Sequence, residues 1–243
     1  MQNSSVQRPV PNGAPGLDLE RRGFAVLHQY AVPATVDAIM SVKVKICGIT
    51  SAADAQAAEA AGADMIGLMF FAGSPRHIDL ERAVEISRSV SPFVLRVGVF
   101  VNPDGADVVE AIRACGLNLL QFHGDEPPEF CTQFGVMSVK AFRMQNAESL
   151  KALSEYPTDA WLLDAYSKTG LGGTGEKFNW DLAVEANKLG KPIFLAGGLT
   201  PENVAAAVAR VGPFAVDVSS GVESEPGKKD PAKVREFVTA AKR

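Results

Sequence analysis

From Val42 onward this 243-residue chain repeats one alternation, a short apolar run followed by a stretch with helical spacing. The runs are Val42–Cys47, Asp64–Phe70, Phe93–Val101, Leu117–His123, Ser138–Arg143, Ala160–Asp164, Pro192–Ala196 and Phe214–Ser219. The helical stretches between and after them are Ser51–Ala61, Leu80–Val90, Asp104–Ala114, Glu126–Phe134, Ala147–Ser154, Asn179–Leu189, Pro201–Arg210 and Asp230–Lys242. Strands that alternate with helices build a parallel sheet covered on both faces. Eight such units in about 200 residues predict a single-domain α/β (β/α)₈ barrel, with an open doubly wound sheet as the alternative. Helix punctuation agrees: Gly62, Gly116, Gly135 and Gly190 fall where left-handed caps end helices, and Thr200-Pro201 reads as an N-cap followed by proline at the first helical position.

Residues 1–39 break the pattern. Pro9, Pro11, Gly13, Pro15 and Gly16 crowd together without sustained periodicity, so the segment is expected to be a dispensable or flexible extension ahead of a catalytic barrel at 40–243. Met40 stands just before the first strand, and a translation start there leaves the expected fold complete. Arg21-Arg22-Gly23-Phe24 has a faint twin-arginine look, but His28, Gln29 and Asp37 contaminate the apolar patch behind it.

Charge narrows the ligand. Lys and Arg number 24 against 28 Asp and Glu, a formal net charge of −4 without a dense basic run, which weighs against nucleic acid or an anionic membrane as partner. No apolar stretch approaches the roughly 18 residues of a membrane span. Cys47, Cys115 and Cys131 show no C-x-x-C spacing, which fits a reduced, cytoplasmic setting. A small-molecule partner is expected, and the chain itself as a monomer or homodimer.

In a barrel the chemistry sits where strands end and the following loops begin. The polar residues at those places are Cys47, Arg76, His123, Asp164, Gly197, Gly198, Asp217 and the run Ser219-Ser220-Gly221. On the first strand a period of two puts Lys43, Lys45 and Cys47 on one face, opposite Val44 and Ile46. If that face points inward, Lys45 needs a buried carboxylate, and Asp217 on the adjoining eighth strand is the first candidate. Such a cation is expected to favour the Cys47 thiolate relative to a free thiol of pKa about 8.5. The plainer role for Cys47 is that of a small buried hydrophobe, and Asp164 could equally cap a loop. His28, His77 and His123 are scattered, so a metal site is not expected.

Two late segments suit phosphate. Leu195-Ala196-Gly197-Gly198-Leu199-Thr200-Pro201 offers bare backbone N–H groups at the expected start of a helix, and Val218-Ser219-Ser220-Gly221 adds hydroxyls after the eighth strand. Barrels often bind phosphate with these two loops together. Gly170-Leu171-Gly172-Gly173-Thr174-Gly175 fits G-x-G-x-x-G but does not run from a strand directly into a helix, and Glu176 stands where a phosphate-binding loop needs lysine. It is read instead as a loop able to close over the site.

Seven motifs in order then resemble the phosphoribosylanthranilate isomerase family of tryptophan biosynthesis. They are Lys45-Ile46-Cys47-Gly48-Ile49-Thr50, Gly67–Phe70 leading to Ser74-Pro75-Arg76, Val97–Asn102, Leu120–Asp125, Leu163-Asp164 with Gly172–Gly175, Ala196–Leu199, and Asp217–Glu223. The resemblance covers Val42 to the C-terminus. It implies an isomerase that performs an Amadori rearrangement on a phosphorylated substrate without metal or cofactor. By the match, Asp164 is the general acid, Cys47 the general base and Arg76 the reader of the anthranilate carboxylate. Gly197, Gly198, Ser219, Ser220 and Gly221 fall on the phosphate loops, and His123 and Asp217 shape the site. The alternatives are the related aminoaldose-phosphate isomerase of histidine biosynthesis, which has an aspartate in place of Cys47, and a non-catalytic barrel that binds a phosphometabolite.

Overall fold

Each apolar run forms a strand: β1 (Lys43–Cys47), β2 (Met65–Met69), β3 (Leu95–Phe100), β4 (Leu119–Phe122), β5 (Met137–Met144), β6 (Ala160–Ala165), β7 (Ile193–Leu195) and β8 (Ala215–Val218). All pair parallel in chain order, and β8 pairs back onto β1 to close the barrel, which excludes the open sheet. This computed structural model describes residues 41–165 and 180–243. The expected extension and the glycine-rich loop at Gly170–Gly175 therefore lie outside the described residues.

The helices between strands are α1 (Ala52–Ala60), α2 (Leu80–Arg88), α3 (Gly105–Cys115), α4 (Pro128–Thr132), α5 (Ser149–Leu153), α6 (Trp180–Asn187), α7 (Val204–Val211) and α8 (Pro231–Ala241). Local chemistry sets their ends. Ser51 Oγ accepts the Asp54 N–H at the start of α1, Asp79 Oδ1 accepts the Arg82 N–H at the start of α2, and Asp230 caps α8 with Pro231 behind it. The cap glycines Gly62, Gly116, Gly135 and Gly190 all take positive φ, the conformation that costs a residue with a Cβ most.

Two apolar layers follow from strand alternation. Val44, Ile46, Ile66 and Leu68 pack outward against the helices, while Cys47, Met65, Val97, Val99, Leu162 and Phe194 fill the lumen. No helix among the described residues is long and apolar enough to cross a membrane.

The structure corrects two expectations at the C-terminal ends of the strands. Helix α7 begins at Val204 rather than Pro201, with Asn203 and not Thr200 at the N-cap position. Thr200 N–H donates to Asn203 Oδ1 at 2.8 Å, and the Asn203 and Val204 N–H groups reach back to the Thr200 carbonyl. This turn places the Gly197-Gly198 amides ahead of a tight loop instead of directly at a helix start. A short hairpin, β9 (Glu223–Glu225) with β10 (Lys228–Lys229), also stands between β8 and α8 where sequence periodicity indicated only loop. Strands of two and three residues are too short for a period to register.

Candidate active site

The register of β1 on β8 pairs Lys45 with Asp217, and strand alternation turns both side chains into the lumen. Lys45 is fully buried, and its Nζ donates to Asp217 Oδ1 at 2.9 Å, the pairing expected of a buried ammonium. Burial pushes the Lys45 ammonium down, but the charges of Asp217 and Cys47 outweigh it and hold the group above its usual value.

Cys47 closes β1 beside this pair. Its register partner on β2 is Gly67, and a Cβ there would lie 2.8 Å from Cys47 Sγ and 3.2 Å from Lys45 Nζ. Any larger residue at 67 would push the sulfur and the ammonium aside. The expected depression of the thiol does not follow. Burial pushes the Cys47 thiol up, Lys45 pulls it down, and the Asp217 carboxylate offsets part of that pull, so the group stands above its ordinary value. A lysine already neutralised by a carboxylate is a weaker source of positive potential than the bare cation that sequence reasoning supposed.

Across the barrel, Asp164 lies near the C-terminal end of β6, half-buried, with its Oδ2 3.5 Å from His123 Nε2. The other ring nitrogen of His123 meets Gln121 Nε2 at 3.2 Å, so the imidazole is held between β4 and β6. A buried ion pair supports this corner. Glu126 Oε2 accepts Lys140 Nζ at 2.8 Å, and its two oxygens also accept the N–H groups of Asn102 and Gly124. Asn102 has a φ of 48°, the one positive value at a non-glycine among the described residues. Its strain is offset where its Oδ1 accepts the Asp125 N–H at 2.7 Å. The loops after β3 and β4 are thus tied together beneath His123.

The loops after β7 and β8 touch. Gly197 and Gly198 have φ of 82° and 66°, and a Cβ on Gly221 would collide with the carbonyl oxygen of Leu199. Only glycine allows the two backbones to approach so closely.

Arg76, on the loop after β2, reaches over β1. Its Nε and Nη2 donate to Glu223 Oε1 and Oε2 at 2.8 and 2.7 Å. Gly48, with φ of 72°, makes the crossing possible, because a Cβ there would strike Arg76 Cδ. The Glu223 hydrogen bonds raise the already high pKa of Arg76, leaving a permanent cation.

All ten candidate residues line one cavity of about 590 Å³ at the C-terminal mouth of the barrel: Cys47, Arg76, His123, Asp164, Gly197, Gly198, Asp217, Ser219, Ser220 and Gly221. Sequence reasoning missed Gln121 and Arg143, which share its wall, and Glu223 and Lys229, which lie behind it. Arg143 was legible as a strand-end cation, whose register partner is Asp164. Lys229 carried no local signal, because its burial depends on the unforeseen hairpin.

Comparison with known proteins bears on this cavity. The profile of the family described as N-(5′-phosphoribosyl)anthranilate isomerase matches residues 44–240. The chain is 54% identical over 201 residues to N-(5′-phosphoribosyl)anthranilate isomerase of Geobacter metallireducens, covering 83% of this chain and 99% of that one. A crystal structure of phosphoribosyl anthranilate isomerase from Thermotoga maritima is similar at a TM-score of 0.78 and 41% identity, over 83% of this chain and 98% of that one. A second crystal structure of such an isomerase, in complex with reduced 1-(o-carboxyphenylamino)-1-deoxyribulose 5-phosphate, aligns with a TM-score of 0.74 and 39% identity, over the same shares of the two chains.

Proposed function

Because the chain belongs to the N-(5′-phosphoribosyl)anthranilate isomerase family, we propose that Asp164 and Cys47 divide the proton transfers of its Amadori rearrangement between them. The enzyme is an isomerase of tryptophan biosynthesis, converting N-(5′-phosphoribosyl)anthranilate to 1-(2-carboxyphenylamino)-1-deoxyribulose 5-phosphate. The observation that carries the assignment is the single cavity shared by the sulfur, the carboxyl group and both glycine-bearing loops.

Asp164 donates its proton to the ribose ring oxygen as the C1′–O bond breaks, and the anilino nitrogen lone pair forms the C1′=N bond of a protonated Schiff base. The Cys47 thiolate then takes the C2′ proton. The C–H electron pair becomes the C1′=C2′ bond, and the C=N pair returns to nitrogen, which gives an enolamine. Tautomerisation moves the C2′ hydroxyl proton to C1′ and leaves a ketone. C1′ is reduced as C2′ is oxidised, so the redox balance is internal and the groups required are one acid and one base.

The base sits in a site that favours its neutral form, and the Schiff base supplies what the resting site lacks: a positive charge next to the sulfur that stabilises the thiolate when it is needed. Arg76 reads the anthranilate carboxylate with the N–H groups that Glu223 leaves free, since a guanidinium carries five donors and Glu223 takes two. The amides of Gly197 and Gly198 and the Ser219–Gly221 loop hold the phosphate. Asp217 keeps Lys45 charged beneath Cys47, and His123 faces Asp164.

The test is direct. Freshly generated N-(5′-phosphoribosyl)anthranilate loses its fluorescence on turnover, so mixing it with the protein should give a rapid decay that Cys47→Ala slows by roughly 10²-fold or more. An equal decay with that variant would remove Cys47 from the mechanism.

A further inference from the structure

One carboxylate behind the cavity wall touches both halves of the binding site. Glu223 Oε1 accepts Arg76 Nε at 2.8 Å and Lys229 Nζ at 2.7 Å, while Oε2 accepts Arg76 Nη2 at 2.7 Å. Lys229 Nζ goes on to the carbonyl and hydroxyl oxygens of Ser219 at 3.3 and 3.4 Å. Arg76 belongs to the loop after β2 and Glu223 to the segment after β8, so the contacts bridge the end of β1, which carries Cys47. The Glu223 and Lys229 side chains are 5% and 0% exposed, and neither lines the cavity.

We propose that Glu223 is the positioning residue that sets the two ends of the substrate cradle at a fixed separation, aiming the Arg76 fork at the aryl carboxylate and, through Lys229, anchoring the Ser219–Gly221 loop under the phosphate. The inference rests on the substrate assignment above. Three physical points support it. First, a bidentate clamp on Nε and Nη2 fixes the guanidinium plane and leaves its remaining donors pointing away from Glu223. The Arg76 side chain has several rotatable bonds with three staggered wells each, and an unclamped fork would have to be ordered by the substrate itself, at the expense of affinity. Second, two cations on one carboxylate leave one positive charge over, which suits a ligand with an anion at each end. Third, a buried ion pair is weak support for stability, since apolar residues of similar volume serve as well. A geometric task explains why charges stand here.

The test measures both ends separately. Glu223→Gln should raise KM for N-(5′-phosphoribosyl)anthranilate by about tenfold while kcat stays within about threefold, the signature of binding lost equally from ground and transition states. Inorganic phosphate, as a competitive inhibitor, reads the phosphate end alone. It should inhibit Glu223→Gln and Lys229→Met more weakly than the parent enzyme, and Arg76→Ala as well as the parent. On an Arg76→Ala background, Glu223→Gln should raise KM clearly less than it does alone, because contacting residues couple. Should the stranded Lys229 ammonium prevent Glu223→Gln from folding, the doubly neutral Glu223→Gln/Lys229→Met carries the same expectations. Unchanged KM and phosphate inhibition, a loss confined to kcat, or full additivity with Arg76→Ala would each overturn the inference. If the parent enzyme does not consume the substrate at all, the substrate assignment fails instead, which is a separate outcome.

Discussion

Replacing Lys45 by methionine removes the cation beneath the sulfur proposed as the base while keeping the length of the side chain. Cys47 Sγ and Lys45 Nζ both crowd the point where a Gly67 Cβ would sit. They are therefore no more than about 6 Å apart, where a unit charge is worth about 3 kcal/mol at an effective dielectric constant of roughly 20. At about 1.4 kcal/mol for each tenfold, losing that charge with Asp217 still ionised pushes the thiol further up and cuts the thiolate fraction near neutrality about 100-fold. In Lys45→Met/Asp217→Asn the opposing carboxylate goes too. What is lost is then only the difference between an ion pair and none, roughly tenfold. Alkylation of Cys47 followed by mass spectrometry across pH reads the thiol directly, with kcat/KM as the functional counterpart and circular dichroism as the control for folding. A single variant with the alkylation midpoint of the parent, or with kcat/KM within about threefold of it, would refute the electrostatic role assigned to Lys45.

Other outcomes follow from the same geometry. Cys47→Ala and Asp164→Ala should each lower turnover by roughly 10²-fold or more in steady-state assays, with melting temperatures near that of the parent. Arg76→Ala should chiefly raise KM and weaken binding of the reduced product analogue in calorimetry; unchanged affinity would count against its place at the carboxylate. Because burial holds the Cys47 thiol above its ordinary value and the proposed mechanism uses the thiolate, kcat/KM should climb as pH rises through and past about 8.5, and a profile already flat at about pH 7 would contradict this. Deleting residues 1–39 should leave activity and melting temperature nearly unchanged, since the family profile begins at residue 44, and an insoluble product would show the segment to be structural.

Much of this enzyme was legible along the chain. Eight apolar runs with eight helical stretches could bury their faces in few ways, and the period of two on Lys43, Lys45 and Cys47 required a buried partner for Lys45 that β8 supplies. Residues that end strands were also readable as candidates for one site, because the barrel gathers strand ends at one mouth, and all ten line its cavity. Other properties arose only where distant segments meet. Glu223 lies 147 residues from Arg76 in sequence, and although it ends the seventh motif, nothing local shows which cations reach it by chain crossing. The Cys47 thiol shows the limit most clearly: a lysine stands two residues before it on the same strand face, which argues for a lowered pKa, yet burial and the carboxylate on β8 reverse the direction. Backbone periodicity is a local property of the polymer, whereas the electrostatic potential at an atom sums over everything that folding brings near it and all the water that folding removes.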